Sequence, residues 1–402
     1  MSTQLSTLSE ETVRELSERL GEPDWLTETR LEALATLDDL AMPDVIRTPG
    51  RTWTDLEALD FETLVDPLDS AEETEIEAPD GVTVTDIGTA AAERPDLLRE
   101  HFGSVIDPQE NYLTALSTAL FSTGTVIHVP EGVDAEDVTV RTTMNARSLF
   151  DYTLVVTEES ASATILERQT TGDERDGGRY YSGLVEVVAG ENSRVQYGSL
   201  QTLSEDTYNY TLKRGHAGTY ATVDWIEGNL GSRLTKSSVE THLRGQGAET
   251  KTVGAFFGHE SQHFDVAARV WHETEHTTAD LVTRGVLDDE ARSVYEGVQD
   301  VGTDAWDTSS YQRENTLMLS DDSEADASPK LIINNHDTEA SHSATVGQID
   351  AEDLFYMTSR GIPPRVARNQ LVEGFFVPVL EEVEVAELRA DLEDGVAERL
   401  RN

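Results

Sequence analysis

Four histidines of this chain stand at a spacing that a metal site on a helix would use. The pattern H-x3-H occurs twice, at His259 and His263 and again at His272 and His276. On a helix the two members of each pair would share one face and could hold one ion together. On a strand the same two residues would lie about 13 Å apart, which is too far for a shared ion. Residues 264–271 alternate loosely like a strand, so the sequence favours a structural role, with these histidines in turns and hydrogen-bonded to the backbone.

A further histidine, His342, lies in the run S-H-S-A-T-V-G, and His336 and Glu339 shortly precede it. A single histidine beside a strand is more often a hydrogen-bonded structural residue than a ligand, so the residues alone favour the structural role. Neutral imidazole is also a competent iron ligand, and both roles stay open at this point. The chain has no cysteine, so any metal that it binds must be held by His, Asp, Glu or backbone oxygen.

The stretch 245–252 (G-Q-G-A-E-T-K-T) is superficially similar to a phosphate-binding loop. Such a loop needs a glycine before its lysine and a helix after it, because backbone N–H groups at the helix N-terminus bind the phosphates. Here Thr250 precedes Lys251, and the residues 253–257 that follow have a strand-like pattern. The sequence therefore predicts that this chain does not bind ATP itself.

The surface of this protein is expected to be strongly acidic. The 402 residues include 78 Asp and Glu against 30 Lys and Arg, a net charge of −48, and only four of the basic residues are lysines. Carboxylates spread along the whole chain are typical of a protein that stays soluble in concentrated salt, so we expect a halophilic source. The charge disfavours nucleic acid and anionic membranes as partners. The sequence has no apolar run of membrane-spanning length, and its first residues are polar and acidic, so a cytoplasmic protein is expected.

Short strands of alternating hydrophobicity dominate the sequence from residue 124 to residue 333. Turn clusters at 160–161, 191–192, 215–216, 247–248 and 276–277 recur roughly every 25 to 32 residues. A repeat of this length is typical of a solenoid, in which stacked coils share one core. A sandwich or a barrel is the alternative that the pattern leaves open.

Helices are predicted on both sides of these strands. Two short helices are expected within residues 9–41, followed by a poorly ordered or loosely attached connection at 43–92. After the strands, Asp350 is a good N-cap for a helix that Gly361 can end in the left-handed conformation, and a second helix follows. A last helix is expected at 377–401.

The motifs near the C-terminus are the most specific ones. Residues 340–347 (A-S-H-S-A-T-V-G) are followed by L-F-Y at 354–356, S-R-G-I at 359–362 and E-G-F at 373–375. This combination resembles the C-terminal core of the SufB/SufD family, the scaffold subunits of the SUF iron–sulfur cluster assembly machine, and its S-H-x-A-T-V-G form is more similar to the SufD branch. The resemblance implies a mainly β fold, a right-handed parallel β-helix (solenoid) core with N-terminal and C-terminal α-helical segments. It divides the chain into a helical region with an irregular linker (1–122), a β-helix core (123–346) and a C-terminal helical domain (347–402).

The resemblance also implies roles for particular residues. His342 matches a family histidine that handles iron or cluster at the interface with SufB, and Ala340 stands where relatives often have a cysteine. Glu339 and His336 lie close to it in the sequence and could assist. The residues that match the docking surface for SufC, the ABC-type ATPase of the machine, are Leu354, Phe355, Tyr356, Arg360, Gly361 and Ile362. For these side chains a core-facing stripe with a helix end is the alternative. The residues that match a fold-shaping family pattern are His263, Asp265, His276 and Thr277.

The implied partners are a SufB-like paralogue, or a second copy of this chain, and a SufC-like ABC ATPase. The chain is expected to be a scaffold and not an enzyme, with no stably bound cofactor and only a transient iron ion or iron–sulfur cluster shared with SufB. A SufB-like or homodimeric paralogue is one alternative, although the lack of cysteine counts against SufB because a cluster scaffold needs thiolates. A β-helix enzyme acting on acidic polysaccharide is the other, and the scarcity of basic residues disfavours it.

Overall fold

The computed structural model describes residues 8–69, 72–172, 178–383 and 385–401. Its helices are α1 (Glu10–Leu20), α2 (Asp24–Thr36), α3 (Phe61–Leu64), α4 (Ile87–Glu93), α5 (Pro95–His101), α6 (Tyr112–Leu120), α7 (Ala351–Ser359), α8 (Pro364–Leu380) and α9 (Ala386–Arg399), with a short 3₁₀ helix at Leu37–Asp39. Its strands are β1 (Arg47–Thr48), β2 (Arg51–Thr52), β3 (Glu72–Glu77), β4 (Thr83–Asp86), β5 (Thr123–Val129), β6 (Asp134–Met144), β7 (Ser148–Thr157), β8 (Ser162–Thr171), β9 (Arg179–Ala189), β10 (Arg194–Thr202), β11 (Thr207–Ala217), β12 (Thr222–Asn229), β13 (Leu234–Leu243), β14 (Glu249–Gly258), β15 (His263–His272), β16 (Thr278–Leu287), β17 (Arg292–Val301), β18 (Thr308–Met318), β19 (Glu324–Ile333) and β20 (Thr338–Gln348).

Two nine-stranded sheets form the body of the protein. The even sheet has the order β20-β18-β16-β14-β12-β10-β8-β6-β3, and the odd sheet has the order β19-β17-β15-β13-β11-β9-β7-β5-β4. From β5 onwards the strands within each sheet are parallel and consecutive strands alternate between the two sheets, so the chain winds into a solenoid of about eight turns. The predicted parallel β-helix is confirmed, and a sandwich or barrel is excluded. The division into three domains stays a prediction.

Tight corners join each odd strand to the next even strand. Residues such as Ser160 (φ 58°) and His276 (φ 61°) adopt the left-handed conformation there. The corners stack, because the N–H of one donates to a carbonyl of the next, as from His276 to Trp306 at 2.7 Å. Four of the five predicted turn clusters lie at such corners, but the one at 215–216 is wrong, since these residues lie inside β11 and the corner is at Tyr220 (φ 55°).

The N-terminal helices are anchored by a buried ion pair. Arg30 of α2 is fully buried, and its guanidinium donates to both carboxylate oxygens of Glu22 at 2.7 and 2.6 Å. The same group donates to the carbonyls of Ala119 and Phe121, at the end of α6, and lies over the Phe121 ring. This bonding satisfies a charge that would be costly to bury alone.

The connection at 43–92 is ordered in structure wherever it is described, so the prediction of a loosely attached linker is wrong. Strand β3 pairs antiparallel with β6, and β4 pairs antiparallel with β5, so the segment covers the first edge of both sheets. Phe61 and Leu64 of α3 are buried. The acidic, threonine-rich sequence of this segment has no steady hydrophobic period, because its short strands are held by strand pairing and not by burial of one face. Residues 70 and 71 lie outside the described ranges.

Helix α9 lies against the outer face of the even sheet. Leu388 and Leu392 sit over Gly198 and Gly228, where an added Cβ would come within 2.5 Å of a leucine methyl group, so a larger residue would force these leucines to shift. Ion pairs from Arg168 to Asp391 and Glu387 hold the same helix from its polar side. None of the helices within the described ranges is long and apolar enough to cross a membrane.

The helix ends near the C-terminus are partly as predicted. The Asp350 carboxylate accepts the N–H of Glu352 at 2.7 Å, and Gly361 has φ 89°, so both predicted ends of α7 are confirmed. The predicted last helix starts in the wrong place, because α8 continues through Pro378 to Leu380 and α9 begins only at Ala386.

Candidate functional site at the open end of the solenoid

The last two strands leave the C-terminal end of the solenoid uncovered. Strand β20 pairs only with β18, and β19 pairs only with β17, so each has an edge with unpaired backbone groups. Ile332, Ile333 and Val346 are large apolar residues that stay exposed at this end. Exposed edge strands are natural sites for pairing with another chain, so this end is the first candidate for a functional surface.

His342 lies on β20, in register with Gln312 of β18. Gln312 is buried and its neighbour Arg313 is exposed, so Gln312 and therefore His342 belong to the inward face of the even sheet. His342 is nevertheless exposed, because no coil follows, and no described residue hydrogen-bonds its ring. Glu339, three residues earlier, belongs to the opposite face, so the structure does not bring it together with His342.

A buried carboxyl lies directly inside this end, and the sequence interpretation missed it. Glu314 of β18 is 1% exposed, its neighbour across the strands is Ala344, and Thr316 Oγ1 donates to its Oε1 at 2.5 Å. Burial raises the pKa of Glu314 to about 7, and its Oε2 has no hydrogen-bond partner. Both amide atoms of Gln312 also lack a partner. The interior of the last coils is therefore polar, and some of its hydrogen-bonding groups have no partner.

A second polar cluster lies deeper in the solenoid, around Lys213. Its Nζ donates to Glu227 at 2.8 Å and to Ser199 at 2.5 Å, and lies 3.6 Å from Glu167. Burial raises the pKa of Glu227 above its usual value, and Lys213 opposes that shift. The four lysines of the chain all form ion pairs, and the other three are Lys236, Lys251 and Lys330. Each lysine therefore has a carboxylate partner, and Lys213 and Lys236 are buried with theirs.

His259, His263 and Asp265 do not form a metal site. His259 precedes β15, whereas the His263 ring lies 3.1 Å from the Thr54 hydroxyl of the N-terminal region. Burial lowers the pKa of His263 to about 4, so its imidazole is neutral at pH 7. Asp265 accepts from Lys236 at 2.8 Å. Across the described residues, no three His, Asp or Glu side chains are grouped as a metal site.

The other histidine pair is also tied to side chains, so the expectation of backbone partners is wrong. His272 is buried at the end of β15, with Nδ1 2.8 Å from the Thr277 hydroxyl, and burial lowers its pKa to about 4. His276 occupies a corner, and its Nδ1 lies 2.8 Å from Asp307 in the next corner. The His276 contact links neighbouring coils, and the His272 contact closes the corner between β15 and β16, so both are structural uses of imidazole.

Helix α7 carries an exposed apolar surface. None of its residues is buried, and Phe355 and Tyr356 are 73% and 60% exposed. Arg360 lies 5.1 Å over the Tyr356 ring, while Leu354 and Ile362 are half-buried beside them. Phe355 and Tyr356 are therefore not a core-facing stripe, and together with Arg360 they form what we call the α7 patch. Aromatic residues with an adjacent arginine are typical of protein interfaces.

Taken together, these features define a β-solenoid protein with an uncovered end and an exposed helical patch. Comparison with known proteins gives the family. Residues 140–375, more than half of the chain, match the family model described as SUF system FeS cluster assembly, SufBD core domain, and residues 54–140 match the SufBD protein N-terminal region. The chain belongs to the SufBD family of SUF iron–sulfur cluster assembly proteins.

Individual relatives agree with this membership over the whole chain. The iron–sulfur cluster assembly protein SufD of Bacillus subtilis is 30% identical, with 100% of each chain covered. The SufB protein of the same organism is 27% identical over 94% of this chain and 90% of its own length. A SufBD family protein of Staphylococcus epidermidis is also 27% identical with the same coverage. The predicted family is confirmed, and the polysaccharide enzyme is left without support.

Proposed function

We propose that this chain is a SufD-like scaffold subunit, which pairs with a cysteine-bearing SufB-like paralogue and docks a SufC-like ABC ATPase. The observation that carries the proposal is the uncovered end of the solenoid, where an exposed histidine lies beside unpaired strand edges. A partner that added its own strands there would cover Ile332, Ile333 and Val346 and satisfy the backbone groups. The full-length similarity to SufD of Bacillus subtilis supports the same role.

His342 would then lie in the seam between the two subunits. Its imidazole is exposed and has no described partner, so it is free to ligate an iron ion or cluster that is the cargo of the complex. The chain has no cysteine, so thiolate ligands would come from the paralogue. The α7 patch would bind the ATPase, because it offers aromatic area and a guanidinium on a helix that is not needed for the core.

The experiment that tests the proposal compares His342→Ala with His336→Ala in the complex with the paralogue and the ATPase. His336 is also exposed and lies in the turn before β20, so it is a matched control. We expect the His342 variant to assemble normally but to lose most of the iron–sulfur absorbance formed per complex, and the His336 variant to keep it. Full cluster formation by the His342 variant would reject the proposed role.

Pairing through the uncovered end has its own test. Ile332→Asp places a charge on an exposed apolar residue of β19 and should abolish co-purification of the paralogue without lowering the melting temperature of the free chain. The molar mass of wild-type chain, alone and mixed with the paralogue, then distinguishes a heterodimer from a homodimer. Unchanged pairing of the Ile332 variant would place the interface elsewhere.

A further inference from the structure

One buried glutamate lacks the compensation that the others have. The described chain buries the side chain of Glu22, which pairs with Arg30, and the glutamates at positions 167, 186, 227, 240 and 314. Two of them share Lys213, one is bound by two arginines, and one accepts three backbone N–H groups. Glu314 has only the Thr316 hydroxyl, and its second oxygen has no partner. A buried carboxylate without a cation is costly, so the pattern indicates that a positive charge is missing beside Glu314.

The side chains around this carboxyl are suited to act as further ligands of a cation. Gln312 lies two residues away on the same inward face of β18, 1% exposed, with its amide oxygen and nitrogen both unpartnered. His342 is the register partner of Gln312 on the next strand of the sheet, β20, and neighbouring strands lie about 4.8 Å apart. Thr283 of β16 and Ala344 of β20 stand on either side of Glu314, so on the side of the uncovered end only a methyl group lies beside this position. One carboxylate, one amide and one imidazole therefore lie on the same inward face of β18 and β20, the last two strands of the even sheet.

We propose that Glu314 and Gln312, together with His342, form a divalent-metal site inside the mouth of the solenoid that this chain offers before its partner binds. Carboxylate oxygen, amide oxygen and imidazole nitrogen are ligands that suit Fe²⁺, and no thiolate is needed to capture the ion. These three groups, of which only two are His or Glu, supply fewer ligands than a divalent ion takes, so water or the partner completes the coordination. The inference rests on the proposed function and adds to it a first, sulfur-free position for the metal.

The test is Co²⁺ binding by the purified chain, in molar KCl with excess Mg²⁺ to occupy the acidic surface. Titration calorimetry and the visible d–d absorption of Co²⁺ measure the site. We expect one site in the wild type and at least tenfold weaker binding in both Glu314→Gln and His342→Ala. Glu339→Gln is the matched control, because this acid is close to His342 in sequence but on the opposite face of β20, and it should bind as the wild type does.

A second variant keeps the test independent of folding. Ala344→Leu fills the space in front of Glu314 without changing any ligand, and it should also weaken Co²⁺ binding at least tenfold while the melting temperature stays unchanged. Wild-type affinity in both Glu314→Gln and Ala344→Leu would overturn the inference, as would the absence of any specific site in the wild type. Either result leaves the proposed function standing, whereas full cluster yield from the His342→Ala complex overturns the proposed function itself.

Discussion

Replacing Phe355 and Tyr356 together by alanine should abolish ATPase docking without affecting the fold. These are the two most exposed of the large apolar side chains in the described chain, and α7 buries none of its residues. Complete burial of an aromatic side chain stabilises by about 1.5–3 kcal/mol, so covering side chains that start 73% and 60% exposed should contribute about 2–4 kcal/mol in total. That free energy corresponds to a loss of affinity of roughly 30- to 10³-fold in the double variant.

Biolayer interferometry between the purified chain and its cognate ABC ATPase, at constant molar KCl, measures this loss. Trp306→Ala is the control, because Trp306 is 49% exposed but lies at a corner of the solenoid and outside the α7 patch. The melting temperatures of all variants should agree with that of the wild type. An affinity of the double variant within threefold of the wild type, or an equal loss in the Trp306 variant, would refute docking at the α7 patch.

Three further predictions concern the stability of the fold. Lys213→Met should destabilise by about 3–5 kcal/mol in urea unfolding. The loss should grow as the pH rises, because burial raises the pKa of Glu227 and its carboxylate would then lack a cation. Adding Glu227→Gln should recover part of the loss, and a cost below about 1 kcal/mol would contradict the buried pairing. Burial lowers the pKa values of His263 and His272 to about 4, so both bind fewer protons in the folded than in the unfolded chain. The free energy of unfolding should therefore fall by about 3 kcal/mol for each histidine as the pH drops from about 6.5 to about 4. His272→Gln should flatten that profile. The melting temperature should rise steeply between 0.2 and 3 M KCl (roughly the range over which a dense acidic surface is screened), and a flat profile would contradict a halophilic protein.

The fold was predictable wherever the sequence carries a local signal. The corner residues have turn chemistry, and their repeat is typical of a solenoid, although only the family resemblance favoured the β-helix over a sandwich or barrel. Asp350 and Gly361 marked the ends of α7 because capping depends on one or two residues. The strands β3 and β4 gave no such signal, since they are defined by the sheet edges that they cover and not by their own pattern. The boundary between the last two helices was also misplaced, because α8 continues through Pro378 to Leu380.

The interior chemistry was harder to predict, and the reason is physical. Hydrophobic alternation identifies inward positions only where the interior is apolar. In β18 the inward residues from Ser310 to Thr316 are polar, like the outward ones, so nothing in the sequence distinguished Glu314 from the many surface acids. Lys213 offered a signal that could have been used: in a chain with only four lysines, each one is a candidate for a buried ion pair.

The sheet edges are covered at one end of the solenoid and free at the other, and this difference indicates where a partner would bind. At the N-terminal end, antiparallel β3 and β4 cover the first edges. At the C-terminal end, β19 and β20 keep their edges free, with Ile332 and Val346 exposed on them. An uncovered parallel sheet edge is an aggregation hazard that proteins normally block. Because this chain covers its sheet edges at one end and not at the other, the uncovered end is where a partner is expected to bind. Because the unsatisfied Glu314 lies just inside that same end, the edge that would bind a subunit and the position that would hold its metal cargo coincide.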